Sequence, residues 1–440
     1  MRNEQSNKII YSILLLFYLF FLSFLIANQK TELVFFVLIV TAGTMILAYN
    51  ALYGMFAIFL SANIFNPSLR IGFINIYAAN ALIIVTFIFL LLNRVTNRQS
   101  KFFHSNLELP LVIFVIISVL SIRQDTISVQ AKRIMAYGIF MLSYIVTVNI
   151  ISTKKELVKL LNYIFIASIP GALYVLYTFV FSPFRGAALR GYGAFVNPNA
   201  YGIYGLVLLP VIIYWGIYKK NPFYFFSTII IGAAFVSTIS RAAIFSLFFS
   251  FVLVNTFFKK NYWYFIFSLL LFIAIIFYPP VNERVQNILN FTDTSLLARV
   301  TLWYDAISQF KSVPFAGLGS GNFFGSALPY DSKMFNGAFN QFLTILSENG
   351  LIGFIVYLWL TLITLFYPLK LYFKTENNFI KNISLAIFMS ILAFQGLSMA
   401  EDPLMAIMSN WAYGVLLGIF YIIWRFEHNE GSDNFSYLRS

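Results

Sequence analysis

Residues 341–366 read QFLTILSENGLIGFIVYLWLTLITLF, an apolar run whose one charged residue is Glu348. A helix needs roughly 20 mostly apolar residues to cross the hydrocarbon core of a bilayer, so this run predicts a transmembrane helix. Similar runs recur along the whole chain. Sixty per cent of the residues are hydrophobic and 10% are charged, and a soluble core of that composition could not be covered by polar surface. The sequence therefore predicts an all-α polytopic transmembrane helical bundle, since barrel strands are short and alternate in polarity.

The basic residues predict how this bundle is oriented. Lys and Arg concentrate in alternate loops, around residues 94–101, 154–159, 219–220, 259–260 and 370–381. The positive-inside rule assigns these loops to the cytoplasm together with both termini, which requires an even number of spans, about 12 to 14. The first apolar run, Ile9–Ala27, is too long to be only a cleaved signal peptide. The net charge of +13 thus reflects topology, and no nucleic-acid partner is predicted.

The later spans follow the apolar runs. Leu33–Phe65 allows two interpretations, a tight hairpin around Tyr49–Gly54 or a less regular segment. The predicted spans beyond it are 77–93, 108–122, 134–150, 161–182, 200–217, 222–239, 242–258, 263–279, 341–366, 383–400 and 404–424. The chain thus divides into N-terminal transmembrane helices (1–182), a central region (183–366) with a long extracytoplasmic loop (280–338) that contains short helices, C-terminal transmembrane helices (367–424) and a cytoplasmic tail (425–440).

The residue types restrict the chemistry. The chain has no cysteine and only two histidines, His104 and His428, both in predicted cytoplasmic segments. Disulfides, thiolate catalysis and most zinc sites are therefore excluded, and no metal site or cofactor is predicted.

Arg241 is an unusual cation on the predicted outer side. It lies in VSTISRAAIFSLFF (236–249), a very short turn between two apolar helices. Ser240 is placed to cap the second helix, so Arg241 falls in its first turn, where the helix dipole disfavours a cation. An anion bound at the same helix end explains this arrangement better than an interfacial side chain does, although both interpretations stay open. Arg185 and Arg284 are equally well explained by contact with solvent or lipid headgroups.

Two further outer arginines lie in loops with special local sequence. Arg190 is in LRGYGAFVNPNAYG (189–202), where glycines permit close approach of backbone to a ligand and Asn197-Pro198-Asn199 begins a helix. Arg299 is in ARVTLWYDAISQF (298–310), and Val300, Trp303, Ile307 and Phe310 follow helical spacing, which predicts an amphipathic helix on the membrane surface. Pro314 ends that helix, and Gly317, Gly319 and Gly321 predict a flexible or tightly turned segment.

The run quoted first carries polar groups at a regular interval. Asn340, Thr344 and Glu348 are each four residues apart, so they share one face of the helix. A carboxylate at that depth is costly unless it is paired, and such residues commonly mark functional sites. Glu348 is therefore either the partner of an arginine or part of a catalytic site.

Four of these segments carry a resemblance. Arg190 with GYGAFVNPNAYG, the TISRAA turn, ARVTLW with VPFAGLGSGNF, and FNQFLTILSENGLIG resemble, in this order, the O-antigen ligase and polymerase superfamily over residues 190–353. Members are bacterial inner-membrane glycosyltransferases with the GT-C fold that act on glycans carried by undecaprenyl diphosphate. The resemblance implies that Arg190, Arg241 and Arg299 bind the diphosphate, that Asn197 and Asn199 belong to a substrate-binding loop, and that an acceptor hydroxyl inverts the anomeric carbon.

The resemblance also implies partners: the lipid-linked glycan, membrane lipid, and as candidates a chain-length regulator and a flippase. Ligases of the superfamily usually carry His-Asn where this chain has Phe339-Asn340, and phenylalanine cannot accept a proton. This favours a polymerase that joins repeat units of O-antigen, capsule or exopolysaccharide over a ligase that transfers glycan to lipid A core. Glu348 and Glu401 are the first candidates for the catalytic carboxylate, with Asn340 beside them. A flippase or transporter is the alternative of another class, disfavoured because the sequence shows no internal repeat.

Overall fold

A computed structural model of the chain describes residues 31–71, 74–96, 105–121, 127–181, 190–195, 197–259, 294–326, 334–335 and 337–429, and the single residues Phe277, Asn282 and Gln286. Several sequence predictions lie outside these residues. They are the span at 9–27, nearly all of the span at 263–279, and the residues His104, Arg185 and Arg284.

The described chain is predominantly helical. Its helices are α1 (Thr31–Tyr49), α2 (Ala51–Ile64), α3 (Ala78–Thr96), α4 (Glu108–Leu120), α5 (Ile127–Ile150), α6 (Lys154–Phe181), α7 (Pro198–Tyr218), α8 (Pro222–Ser237), α9 (Arg241–Val254), α10 (Thr294–Ser312), α11 (Gln341–Lys374), α12 (Asn378–Ser398) and α13 (Asn410–Asn429). Strands β1 (Ser68–Ile71) and β2 (Ile74–Tyr77) form an antiparallel hairpin, and β3 (Gly325–Ser326) pairs with β4 (Met334–Phe335).

Seven of the described helical stretches are long and apolar enough to cross a membrane, namely α1, α5, α6, α7, α11, α12, and α9 together with the π-helical turn that continues it to Phe258. Helices α2, α3, α4 and α8 are apolar but shorter. This confirms the predicted all-α polytopic helical fold. In the Leu33–Phe65 segment, α1 and α2 are separated by Asn50 alone and pack against each other, which agrees with the tight-hairpin interpretation.

Several helices are longer than the predicted spans. Helix α6 begins at Lys154 rather than near residue 161, and α11 continues to Lys374 rather than ending near residue 366. Helix α13 runs from Asn410 to Asn429, into the predicted tail. Lysine side chains at helix ends can extend their charged groups to the membrane surface, so a helix continues where the apolar run has already stopped.

Asparagine begins many of these helices. At five helix starts its side chain accepts a hydrogen bond from a backbone N–H of the first turn, which satisfies a donor that has no partner within the helix. In two cases proline follows at the first helical position, where its missing N–H has no consequence. The five residues are Asn50, Asn197, Asn221, Asn340 and Asn377.

The core of the bundle is formed by α5, α7, α12 and α13. Helix α7 is buried on all sides over most of its length, which explains why it is apolar around its whole circumference, and Ile217 near its end is exposed. Gly414 and Gly418 allow α13 to approach α5 closely. A Cβ atom at Gly414 would lie 2.0 Å from Ser143 Oγ, and one at Gly418 would lie 2.7 Å from Thr147 Cβ. Small residues four positions apart are a common basis for such packing in membranes.

Candidate functional site

Polar side chains from four separate segments meet at one end of the bundle, which the basic-loop pattern predicts to be the outer end. Arg299 Nη2 of α10 donates to Glu401 Oε1 over 2.9 Å. Asn199 Nδ2, at the start of α7, lies 3.5 Å from the same oxygen. Arg190 Nη2 donates to Asn199 Oδ1 over 2.7 Å. The fold thus joins Arg190, Asn199, Glu401 and Arg299 in one chain of contacts, which is called the outer cluster below.

The turn between α8 and α9 attaches to this outer cluster. Arg190 Nε donates to the carbonyl oxygen of Thr238 over 2.8 Å, and the backbone N–H of Gly191 donates to the carbonyl of Ser237 over 2.9 Å. Ile239, in this turn, has φ +48°, which is a genuine outlier for a β-branched residue. The turn leads into Arg241, the first residue of α9.

The structure differs from the sequence prediction at one of two N-cap positions. Ser240 occupies the N-cap position of α9, as predicted, but its side chain makes no capping hydrogen bond. Asn197 does cap α7, because its Oδ1 accepts from Asn199 N over 2.9 Å. Asn197 therefore shapes the start of α7, whereas Asn199 directs its side chain to Arg190 and Glu401.

Asn340 and its neighbours join the start of α11 to the turn after α12. Asn340 Oδ1 accepts from Phe342 N over 3.1 Å and from Leu343 N over 3.2 Å, so it caps α11. The backbone N–H of Phe339 donates to Asp402 Oδ2 over 3.0 Å. Gln341 N donates to the carbonyl of Glu401 over 3.2 Å. The segment that carries Asn340 is therefore held directly against the segment that carries Glu401.

Glu348 lies deeper than the outer cluster and is fully buried. Its partner is Arg133 of α5. The Glu348 side chain is 0% exposed and the Arg133 side chain is 5% exposed. Arg133 is absent from the residues predicted from sequence, because the predicted span begins just after it, at residue 134. The sequence QAKRIMAYG (130–138) could have identified it, because it places an arginine at the start of an apolar helix. Ionisable residues within membrane spans are rare and commonly functional.

A break in α11 follows Glu348 directly. Gly350 has φ 63° and ψ −166°, which interrupts the helix. The carbonyls of Ser347 and Glu348, which lose their helical partners, accept from Leu318 N over 2.9 Å and from Gly319 N over 2.7 Å. The predicted glycine segment is therefore tightly turned, with positive φ at Gly317, Gly319 and Gly321. Irregular backbone at membrane depth needs such internal partners.

The glycine segment is also anchored to α4 and α5. The backbone N–H of Ser320 donates to Ser121 Oγ over 3.0 Å, and Asn349 Nδ2 donates to Ser320 Oγ over 2.8 Å. Gln130 Nε2 donates to Asn322 Oδ1 over 3.0 Å. The break in α11 is thus fixed from three sides, and Glu348 is fixed with it.

Helix α10 carries Arg299 and is amphipathic, but its inward face differs from the predicted stripe. Ala298, Leu302 and Ala306 are the buried positions, each four residues apart. Of the predicted apolar stripe, Val300 and Ile307 are exposed, and they form an outward face suited to a membrane surface. The helix ends at Ser312, shortly before Pro314.

The two carboxyl groups of the turn after α12 are in an environment that favours their neutral forms. Burial raises the pKa of Glu401 above its ordinary value, and the ion pair with Arg299 opposes this rise. Burial likewise raises the pKa of Asp402, opposed most strongly by Arg133. A carboxylate with a raised pKa is a stronger base, which suits proton transfer near neutral pH. Among the described residues, no group of three His, Asp or Glu side chains could hold a metal ion.

Comparison with known families matches one part of the chain. A family model described as O-Antigen ligase matches residues 226–358, from α8 into α11. The matched region contains Arg241, Arg299, Asn340 and Glu348, whereas Arg133, Arg190, Asn199 and Glu401 lie outside it. No curated protein matches the chain.

Proposed function

Because a family model described as O-Antigen ligase matches residues 226–358, we propose that the chain polymerises oligosaccharide repeat units carried on undecaprenyl diphosphate. The product would be a surface polysaccharide, and the reaction would occur at the outer side of the bacterial inner membrane. The observation that carries this proposal is the outer cluster. Its partly exposed carboxylate, Glu401, contacts Arg299 and Asn199, and Asn199 in turn contacts Arg190.

In the proposed reaction, an acceptor sugar hydroxyl attacks the anomeric carbon of the donor glycan. The new C–O bond forms on the face opposite the diphosphate, the bond from the anomeric carbon to the diphosphate oxygen breaks, and undecaprenyl diphosphate leaves. Glu401 would accept the proton of the attacking hydroxyl. Its raised pKa makes it a better base than an ordinary exposed glutamate.

The leaving group needs positive charge as the bond breaks. Arg190 and Arg241 would supply it, because both lie at the turn between α8 and α9 and guanidinium groups bind phosphate oxygens through paired N–H donors. We assign Arg299 two roles, orienting Glu401 and contacting the diphosphate. Its Nε has no hydrogen-bond partner among the described residues, so that donor can serve the substrate.

The other two predicted catalytic residues receive supporting roles. Glu348 is fully buried and paired with Arg133, so it would hold the site in place rather than receive a proton from solvent-accessible substrate. Asn340 uses its Oδ1 to cap α11, which leaves its amide N–H groups for a contact with the glycan. Phe339 occupies the position of the ligase histidine, which favours polymerisation over transfer to lipid A core.

The test is a reconstituted reaction. The purified protein in liposomes receives only undecaprenyl-diphosphate repeat units, and the products are separated by size. A ladder of longer lipid-linked glycans is expected without any added lipid A core. Arg190→Ala and Arg241→Ala should each reduce the ladder strongly. Arg70→Ala is the matched control, because Arg70 is an exposed arginine of the β1–β2 hairpin at the same predicted end.

Other outcomes separate the alternatives. Product that forms only with lipid A core would make the protein a ligase. Movement of the lipid-linked glycan across the bilayer with no new glycosidic bond would make it a flippase. A ladder that is equally strong in wild type, Arg190→Ala and Arg241→Ala would refute the arginine assignment.

A further inference from the structure

The ion pair between Arg133 and Glu348 joins two helices that are distant in sequence. Arg133 lies near the start of α5 and Glu348 lies in α11, just before its break at Gly350. Both side chains are buried. Removing two charges from water is expensive, and a buried pair is often no more stable than apolar residues of similar volume. The retention of such a pair within a membrane helix therefore needs a reason other than stability.

Asp402 interacts electrostatically with both this ion pair and the outer cluster. It faces Arg133 and Tyr137 of α5, Glu348 of α11, Arg299 of α10, and its chain neighbour Glu401. Its Oδ2 accepts the backbone N–H of Phe339 over 3.0 Å. Asp402 is therefore the group through which the buried pair can act on the segment that begins α11.

The segment 337–341 is strained and depends on its surroundings. Phe339 has φ +48°, a conformation that a bulky residue adopts only when neighbouring contacts impose it. Three hydrogen bonds hold this conformation in place. Phe339 N donates to Asp402, Ala338 N donates to Thr344 Oγ1 over 2.9 Å, and Leu404 N donates to Gln341 Oε1 over 3.1 Å. The Arg299 guanidinium in turn lies over the Phe339 ring, with its Cζ atom 5.7 Å from the ring centroid.

We propose that Arg133 is a positioning residue that, with Glu348, fixes Asp402 and thereby the strained Phe339 turn, so that Arg299 and Glu401 keep their reactive arrangement. The inference rests on the proposed function for its activity readout, but its structural readout does not. It predicts that the pair matters for the geometry and protonation of the turn and little for the stability of the bundle.

The charge of Arg133 also affects the protonation of Asp402. Burial raises the pKa of Asp402, and Arg133 is the strongest of the charges that oppose this rise. Loss of the Arg133 charge would therefore raise that pKa further. Asp402 would then become protonated at a higher pH, and its charge-assisted hydrogen bond to Phe339 would weaken there.

The experiment compares two variants of full-length protein in liposomes. In the Arg133→Met/Glu348→Met double variant, both buried charges are replaced together, so that no unpaired charge remains. The matched control is Arg425→Met. Arg425 is also a buried arginine, and it donates to the carbonyls of Val148 and Ile151 at the other end of α5. Both variants lose a buried guanidinium at one end of α5.

Three quantities are measured: the rate of ladder formation, its pH dependence, and maleimide labelling of a single cysteine introduced as Ala338→Cys. Ala338 is fully buried in the turn, and the chain has no other cysteine. The double variant is expected to lose about 10- to 100-fold in rate, as small misplacements of reacting groups do. Its acid-side loss of activity should move to higher pH, and the introduced cysteine should label faster. Arg425→Met should alter none of the three.

Failure of the two proposals can be distinguished. If wild type forms no ladder, the proposed function fails, whereas labelling of the introduced cysteine still tests the inference. If the double variant labels at the same rate as the Ala338→Cys protein alone, the inference is refuted, whatever its rate of ladder formation. If Arg425→Met changes labelling equally, the effect is general loosening and the inference is refuted as well. Should the double variant not accumulate in membranes, the Arg133→Gln/Glu348→Gln double variant replaces it. That variant also leaves no unpaired charge, keeps hydrogen-bonding groups at both positions, and should change all three quantities in the same direction.

Discussion

Replacing Gly350 by alanine tests whether the break in α11 is required. With φ 63° and ψ −166°, Gly350 occupies a region of backbone conformation that is essentially reserved for glycine. An added Cβ atom would lie 2.3 Å from the carbonyl oxygen of Phe315 and 2.6 Å from the backbone nitrogen of Gly317. Both neighbours are backbone atoms, so the whole glycine segment would have to move away from α11.

The cost follows from these contacts. Forcing a residue with a Cβ into this conformation costs about 1–3 kcal/mol. Displacing the segment also breaks the hydrogen bonds from Leu318 N to Ser347 O and from Gly319 N to Glu348 O, each of which contributes about 0.5–1.5 kcal/mol. Together these terms predict a destabilisation of about 2–6 kcal/mol. Because the lost bonds include the one to Glu348, the buried ion pair would also be disturbed.

The assay is thermal unfolding of detergent-purified protein, followed by the intrinsic fluorescence of its tryptophans. Gly232→Ala in α8 is the matched control, because no heavy atom lies within 4 Å of the Cβ atom it would add. That change should leave the transition unchanged or raise it slightly, since alanine favours helix by up to about 1 kcal/mol. If Gly350→Ala unfolds at the wild-type temperature, α11 can adopt a different arrangement at this point and the reasoning is wrong.

Three further predictions concern orientation, protonation and capping. A single cysteine at the exposed position Lys311 should label from outside intact cells and one at the exposed position Lys374 should not; the reverse pattern would invert the bundle. Because burial raises the pKa of Glu401, activity should fall on acidification at a pH above the ordinary glutamate value as the base becomes protonated, and Glu401→Gln should be nearly inactive at every pH tested. Asn340→Ala should cost about 1 kcal/mol of stability through loss of the cap, whereas Asn340→Asp should keep it; equal stability of the two variants would contradict the capping role.

The sequence predicts the fold well because its main signal is composition. Apolar runs long enough to cross a bilayer leave few other solutions, since backbone polar groups in lipid must be satisfied within the same segment. Helix ends are predicted less well. The positions of Lys154 and Lys374 inside helices depend on where the membrane surface lies along the helix, and this is not encoded in the apolar run itself.

The candidate site is predicted residue by residue but not as a network. Loop sequence and the family resemblance single out Arg190, Asn199 and Arg299, but the contacts that link them to Glu401 arise from the packing of segments far apart in the chain. Arg133 is missed because the predicted span begins just after it, at residue 134. Its role is visible only when α5 is packed against α11 and Glu348 is found to be its partner.

Helix starts contribute to the electrostatics of this end of the bundle in addition to the arginines. Helices α7, α9 and α11 begin there, at Pro198, Arg241 and Gln341. Each start carries the positive end of a helix dipole. Asn197 and Asn340 accept first-turn N–H groups of α7 and α11, whereas no side chain caps α9. Two of the three described non-glycine residues with positive φ, Ile239 and Phe339, lead directly into α9 and α11. Strain at this end is therefore located where it sets the direction of two helix starts. An anionic donor would therefore meet the backbone N–H groups at the start of α9 as well as guanidinium groups. It follows that a single arginine substitution should weaken donor binding without eliminating it, whereas a change that redirects either turn should affect both sources of positive charge together.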